Sequence, residues 1–313
     1  MNKLLTVVGP TSSGKSELAV RLAKKFNGEI ISCDSRQVYE GMNIGTGKVP
    51  GKWHVVKKHS RALYKYFIYK GVIHHLIDFV SPKRQYSVAM FKKQAEKVIY
   101  DIIKRGKLPI LCGGTGHWVD AVVYDQHLPE VKPDKKLRAK LEKETTDELY
   151  QKLMKLDPAR AKEIDRHNKR RLIRALEIVL TTNKPVPSLP TTHCLPPAYP
   201  TLQLGLTLPK EELYDKIERR LKQRFKQGLI KETAKLRKQG LSWKKLEAFG
   251  LSYKFAAQYL QRKIDKDEML RLSLLSEKHY AKRQMTWFKR NKDIIWIENY
   301  SQAKSLVSTF LKR

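Results

Sequence analysis

Gly9-Pro10-Thr11-Ser12-Ser13-Gly14-Lys15-Ser16 decides how the rest of the chain is read. Just before it, Leu4-Leu5-Thr6-Val7-Val8 is the short apolar run of a buried parallel strand, and just after it Glu17-Leu18-Ala19-Val20-Arg21-Leu22-Ala23 places apolar residues at helical spacing. An ordinary glycine turn capped by serine would not need both flanks. Strand, glycine loop and helix give the spacing G-x-x-x-x-G-K-S a mechanical meaning: the glycines let the loop curl, so that successive N–H groups and the helix N-terminus point at one anion. Lys15 adds a mobile charge, and the Ser16 hydroxyl is placed to hold a magnesium ion bridging phosphate oxygens. The loop from Gly9 to Ser16 therefore binds a diphosphate or a triphosphate, and leaves open what the phosphates are attached to.

The 313 residues are 41% apolar, enough for a real core, and hold 64 Lys and Arg against 31 Asp and Glu, a formal net charge of +33. A surface this basic attracts polyanions, nucleic acid first among them. No run of 18 apolar residues occurs, so no bilayer-spanning helix and no membrane partner is expected. The first strand starts within three residues of the N-terminus, which leaves no room for a signal peptide. Cys33, Cys112 and Cys194 are few, odd in number and widely separated, which speaks against a disulfide framework or a zinc site and for a cytoplasmic protein. With no coiled coil and no exposed apolar helix in the pattern, a monomer is expected.

Beyond the first helix, Glu29 to Cys33 is a second short strand that ends on Asp34-Ser35-Arg36-Gln37-Val38-Tyr39. In an open α/β sheet, residues just past strand carboxyl ends face the ligand crevice, so Asp34 is either a base beside the phosphate loop or a helix N-cap. Basic and aromatic residues mix from Lys52 to Lys70, the pattern of an amphipathic hairpin and, secondarily, of a surface for stacking bases. His74 and His75 are adjacent on a strand and point to opposite faces, which suits a packing or hydrogen-bonding pair better than one metal ion. A helix is predicted from Val88 to Lys104, then a buried strand from Leu108 to Cys112 that delivers the glycine turn Gly113-Gly114-Thr115-Gly116.

From about Gln126 to Pro190 the chain is charged and helical, with helices expected over 134–143, 147–156 and 169–180 and no strand pattern. Strand pattern returns at Thr201 to Thr207, followed by a basic helix from Leu213 to Phe225, a helical run at Leu246 to Leu260, a basic helix from Glu277 to Arg290 and a last strand at Asp293 to Ile297. The fold class is thus α/β: a P-loop NTPase-like parallel sheet core with an inserted all-helical subdomain. The core occupies residues 1–125, the insertion 126–195, and residues 196–313 return to the core and add C-terminal helices. A regulatory GTPase would need N-K-x-D, and Asn291-Lys292-Asp293 lacks the intervening residue. An ATPase motor would end an apolar strand in acidic residues, where this chain ends 108–112 in glycine. A small-molecule kinase would use the loop and Asp34 but not the charge; a non-catalytic RNA-binding module would use the charge and leave Asp34 idle.

Taken together, the phosphate loop, Asp34-Ser35-Arg36-Gln37-Val38-Tyr39, Gly45-Thr46-Gly47-Lys48, His74-His75-Leu76-Ile77-Asp78, Gly113-Gly114-Thr115-Gly116 and Arg283-Gln284-Met285-Thr286-Trp287 resemble, in order, the motifs of bacterial tRNA dimethylallyltransferases. The likeness runs from about residue 5 to 290, and the D-S-x-Q-V-Y and R-Q-x-T-W segments are its specific part. The resemblance implies transfer of the five-carbon group of dimethylallyl diphosphate to N6 of adenosine 37 in tRNA, with release of diphosphate, and Mg2+ as cofactor. It implies that Gly9 to Ser16 hold the donor's diphosphate, that Asp34 is the general base, that Arg220 adds charge at the leaving group and that Thr115 contacts tRNA or orients the adenine. It also implies contacts to the anticodon stem-loop, clasped by the insertion, from Asp34, Ser35, Arg36, Gln37, Tyr39, Arg170, Arg171, Leu172, Ile173, Arg174, Lys282, Arg283 and Gln284. The family's G-T-A-K-P, G-T-G-L-Y and A-I-G-Y-K are altered in this chain to Gly47-Lys48-Val49-Pro50, Gly116-His117-Trp118 and a longer Ala248 to Lys254.

Overall fold

The computed structural model describes residues 2–58, 62–129, 131–187 and 197–312. The first elements are β1 (Leu4–Val8), α1 (Lys15–Lys25), β2 (Gly28–Ser32), β3 (Lys52–Lys58), β4 (Ala62–Tyr69), β5 (Val72–His75), α2 (Val88–Lys104), β6 (Leu108–Gly113) and α3 (Gly116–Val123). Four helices follow: α4 (Lys135–Leu141), α5 (Thr146–Leu156), α6 (Pro158–Glu163) and α7 (Lys169–Thr182). The chain then runs through β7 (Thr201–Leu206), α8 (Lys210–Lys226), α9 (Leu229–Lys238), α10 (Trp243–Ala248), α11 (Leu251–Leu260), α12 (Lys266–Phe288), β8 (Ile294–Ile297) and α13 (Tyr300–Lys312). Pro190 and Cys194 lie outside the described residues.

The chain divides into two compact units, Met1–Asp125 with Pro196–Arg313, and Gln126–Leu195. The first holds an eight-stranded sheet in the order β3-β4-β5-β2-β6-β1-β7-β8. Every neighbouring pair from β5 to β8 is parallel, and only the β3–β4–β5 end is antiparallel. That is the expected α/β class with a mainly parallel core. Alternation along β1 explains the layers. Leu4 and Val8 join a core with Phe91 and Ile99 of α2, Val119 of α3 and Phe288 of α12, while Leu5 and Val7 face Leu18 and Leu22 of α1 and Val307 of α13. A strand buried on both faces reads as a continuous apolar run, which is what Leu4 to Val8 is. Emptying one such position, as in Leu5→Ala, costs about 2–5 kcal/mol.

The mixed stretch Lys52 to Lys70 is the hairpin β3–β4, with Trp53 edge-on to Phe67 at 5.6 Å and its indole N–H donating to Asp78 at 3.0 Å. His74 is buried with Nδ1 3.0 Å from the Val72 carbonyl, and burial pulls its pKa down to about 4. His75 turns the other way, to Glu29 at 2.7 Å. The helical run predicted over 246–260 is broken at Gly250, whose φ of 73° starts α11 afresh, and the basic helix begins eleven residues earlier than the predicted Glu277, at Lys266.

The second unit packs α4 to α7 around Leu141, Leu149, Leu153, Leu172, Ile173 and Leu176. Its starts are capped: Thr145 and Glu148 form a capping box on α5, and Asn168 accepts from the Arg171 N–H on α7. This corrects one expectation. Successive residues on a helix point about 100° apart, so Arg170 to Arg174 cannot share a face. Leu172 and Ile173 are 0% and 4% exposed and belong to the core, not to an RNA surface. Arg174 is committed to Glu177 at 2.6 Å and the Val131 carbonyl at 3.1 Å, leaving Arg170 and Arg171 exposed.

Candidate active site

Three adjacent parallel strands, β2, β6 and β1, bring their carboxyl ends side by side. β1 ends in the phosphate loop, β2 in Asp34 and β6 in the glycine turn. The loop closes on α1 through Gly14, whose φ of 93° is the left-handed conformation glycine adopts without strain, and whose carbonyl accepts from the Glu17 and Leu18 N–H groups at 3.1 Å. Thr11, Lys15, Ser16, Asp34, Gln37 and Arg220 then line one cavity. Lys15 is folded onto the Pro10 carbonyl at 3.0 Å, and the buried Ser13 hydroxyl has no hydrogen-bond partner among the described residues.

The cavity is built for an anion. Burial lowers the Lys15 pKa, nearby Cys112 and Asp34 act against the shift, and Arg220 adds to it. Arg220 is likewise pulled down, to about 10, by burial and then by Arg224. Two partly buried cations on a cavity wall gain more from an arriving diphosphate than fully solvated ones would. Arg224 itself is neutralised by Glu277 at 3.0 Å, and Ser252 donates to the same carboxylate at 3.3 Å.

Asp34 stands at the cavity wall and caps a turn, not the helix that one of its two readings expected, because residues 35–38 turn without starting a helix. Oδ1 accepts the Arg36 N–H at 2.9 Å and the Gln37 N–H at 3.3 Å, as a turn cap does, while Oδ2 has no partner among the described residues. A carboxylate with one oxygen anchored and one free can take a proton without losing its position. The Thr115 hydroxyl accepts the Ser35 N–H at 3.1 Å and so braces the Asp34 turn. Tyr280 stands beside Thr115 and Asp34, and burial pushes its phenol pKa up. Among the described residues no group of three or more His, Cys, Asp or Glu could hold a metal, so a cation in this cavity would rest on the Ser16 hydroxyl and on its substrate's oxygens.

A model of the IPP transferase family matches residues 37–291. The chain belongs to the IPP transferase family. Among curated relatives it is 38% identical over 308 residues to a tRNA dimethylallyltransferase of Pelotomaculum thermopropionicum, covering 97% of this chain and 93% of the relative. It is 39% identical over 307 residues to a tRNA dimethylallyltransferase of Carboxydothermus hydrogenoformans, covering 96% of this chain and 93% of that one. The full-length tRNA isopentenylpyrophosphate transferase of Bacillus halodurans superposes with a TM-score of 0.70 at 35% identity, over 100% of this chain and 97% of that one. A eukaryotic dimethylallyltransferase solved acting on tRNA gives 0.75 at 26% identity, over 98% of this chain and 77% of its own. The resemblance read from the motifs is borne out.

Within this IPP transferase, Gln284 lines the same cavity as Asp34 and Lys15 and also has a structural task. Gln284 is 5% exposed, accepts the Thr11 N–H at 2.8 Å and donates to the Gly114 carbonyl at 2.8 Å. Its amide ties the phosphate loop to the glycine turn, so one loop N–H is already spent on the protein. Its neighbours Lys282 and Arg283 are exposed. Arg224, Glu277 and Tyr280 are site residues that the motifs do not name. A signal for the first was present: Leu213, Ile217 and Leu221 set the apolar stripe of α8, and Arg220 and Arg224 fall on the same stripe, where a cation needs a partner or a task.

Proposed function

We propose that this IPP transferase moves the dimethylallyl group of dimethylallyl diphosphate to N6 of adenosine 37 in the anticodon loop of tRNA. The N6–C1 bond forms as the C1–O bond breaks, diphosphate leaves with the electron pair, and the N6 proton passes to Asp34. The observation that carries this reading is the convergence of Asp34 and the cations Lys15 and Arg220 on one cavity. Loop amides, Lys15 and Arg220 neutralise charge that grows on the leaving diphosphate, an effect worth about 2.7–4 kcal/mol for each well-aimed donor. Ser16 would hold a magnesium ion together with the donor's phosphate oxygens; a hard cation with few protein ligands fits that donor set and, when bound, supplies further neutralisation of diphosphate.

A carboxylate such as Asp34 suits this task, because N6 becomes acidic only as the new bond forms. Thr115 holds Ser35 and through it the Asp34 turn. The target adenine must leave its stack to reach the cavity, and Arg36, Gln37, Lys282 and Arg283 supply polar and cationic contacts for the loop it leaves; on the helical unit, taken by itself, Arg170 and Arg171 offer cations to tRNA phosphates. The enzyme is expected to act as a monomer in the cytoplasm.

Incubation with unmodified tRNA and either labelled dimethylallyl diphosphate or labelled ATP tests the reading. Prenyl label in RNA supports it. ATP turnover on a small acceptor, with no prenyl label in RNA, overturns it in favour of a kinase.

A further inference from the structure

Glu232 of α9 lies outside every motif, is partly buried, and collects four hydrogen bonds on one carboxylate. Oε2 accepts the N–H groups of Asn43 and Ile44, both at 2.9 Å, and Oε1 accepts the Gly45 N–H at 3.0 Å and the Tyr253 hydroxyl at 2.6 Å. Three successive amides converging on one anion form a nest, filled in this case by the protein's own carboxylate. The loop it holds is internally closed by Thr46 Oγ1 to the Met42 carbonyl at 2.6 Å and by the Gly47 and Lys48 N–H groups to the Ile44 and Asn43 carbonyls at 3.0 Å.

Beyond the nest the loop reaches the cavity. The Gly47 carbonyl accepts from Arg220 Nη2 at 2.8 Å, the only acceptor among the described residues on that guanidinium. The approach is close at both glycines. A Cβ on Gly45 would lie 2.4 Å from the Tyr253 ring, and one on Gly47, at φ +60°, would lie 2.3 Å from Arg220 Nη2.

We infer that Glu232 is a positioning residue for prenyl transfer: by anchoring Asn43 to Gly45 it fixes the Gly47 carbonyl that holds Arg220 at the diphosphate end of the cavity. Arg220 is desolvated and repelled by Arg224, so without that acceptor its guanidinium has reason to leave the position from which it meets the leaving group. The inference rests on the assignment of Arg220 to the leaving diphosphate.

The test is a double-mutant cycle in the full chain with Glu232→Gln, Arg220→Ala and both, reading kcat, KM for dimethylallyl diphosphate, the Kd of inorganic diphosphate and Tm. Glu232→Gln keeps the size of the side chain but removes the charge and one acceptor. It is expected to lower kcat about 10-fold and weaken diphosphate binding several-fold in the native background, yet change kcat less than about 2-fold when Arg220 is already Ala. An equal factor in both backgrounds overturns the inference and leaves Glu232 a fastening of the fold. If Arg220→Ala by itself changes neither kcat nor diphosphate affinity, the assignment of Arg220 fails first, which is a separable result. Glu232→Asp, charged but a methylene short of the nest, is carried through the same cycle should the Gln variant be insoluble.

Discussion

Asp120 on α3 is 3% exposed, and its Oδ2 accepts the Trp287 indole N–H at 2.8 Å. Trp287 packs so tightly on Gly116 that a Cβ there would meet the ring at 2.1 Å, so this bond helps set the glycine turn that ends at Thr115 and Gly116. Burial pushes the Asp120 pKa up from 3.8 to about 6, and the Trp287 hydrogen bond offsets only part of that rise. A shift of about two units is worth about 3 kcal/mol. The native chain binds this proton more tightly than the unfolded chain does. The stabilisation is therefore fully present below about pH 4 and is lost as pH rises through about 6. At neutral pH a buried, charged Asp120 burdens the fold. Asp120→Asn keeps an acceptor for Trp287 without the charge and is expected to be about 1–3 kcal/mol more stable than the native chain at pH 7.5, with the difference shrinking towards zero or reversing at pH 4. Urea unfolding of both proteins at the two pH values, at one ionic strength, cancels every group they share. A stability difference that is the same at both pH values, or a variant weaker at pH 7.5, would refute the reasoning.

Asp34→Ala should lower kcat by about 10²–10⁴ while tRNA affinity stays within several-fold, measured by single-turnover kinetics and by filter binding; unchanged turnover would remove Asp34 as the base. Arg170→Ala with Arg171→Ala should weaken tRNA binding with Tm nearly unchanged, whereas Leu172→Ala, one residue on, should cost about 2–5 kcal/mol of stability in the helical unit. A stability loss shared by all three would contradict the burial pattern. With phosphate contacts from several arginines and lysines, log Kd for tRNA against log salt should have a slope of about 3–5, and a flat line would undo the role given to the basic surface.

What the chain discloses locally is what local physics controls. The run Leu4 to Val8, the glycine spacing and the helical periodicity after it lie within twenty-five residues, and β1, the loop and α1 formed where they were read. Asp34 was legible too, because strand ends in a parallel sheet face the crevice whatever the rest of the chain does. Motifs treated as contiguous blocks misled. Arg170 to Arg174 and Lys282 to Gln284 both lie on helices, where neighbours diverge, so each block divides into an outward and an inward part: Leu172, Ile173 and Gln284 went in. Thr115 was legible as a hydroxyl at a strand end but its bond to the Ser35 N–H was not, since a glycine turn shows that a hydroxyl is nearby but not which backbone amide it will meet.

The hardest residue to foresee was Glu232, which meets its loop across a sequence separation of 187 to 189 residues. Nothing around it distinguishes it from a solvated acid on a basic helix. Its partners are backbone N–H groups, which every residue carries, so the sequence holds no complementary charge to search for. Gln284 works by the same device, joining the Thr11 N–H to the Gly114 carbonyl. Lys15 and Asp34, which face the proposed substrates, are thus named by local motifs, whereas Glu232 and Gln284 hold loops in register through backbone groups that carry no sequence label. A substitution series confined to the motifs would therefore reach Gln284 and Thr115 but miss Glu232, Arg224 and Glu277.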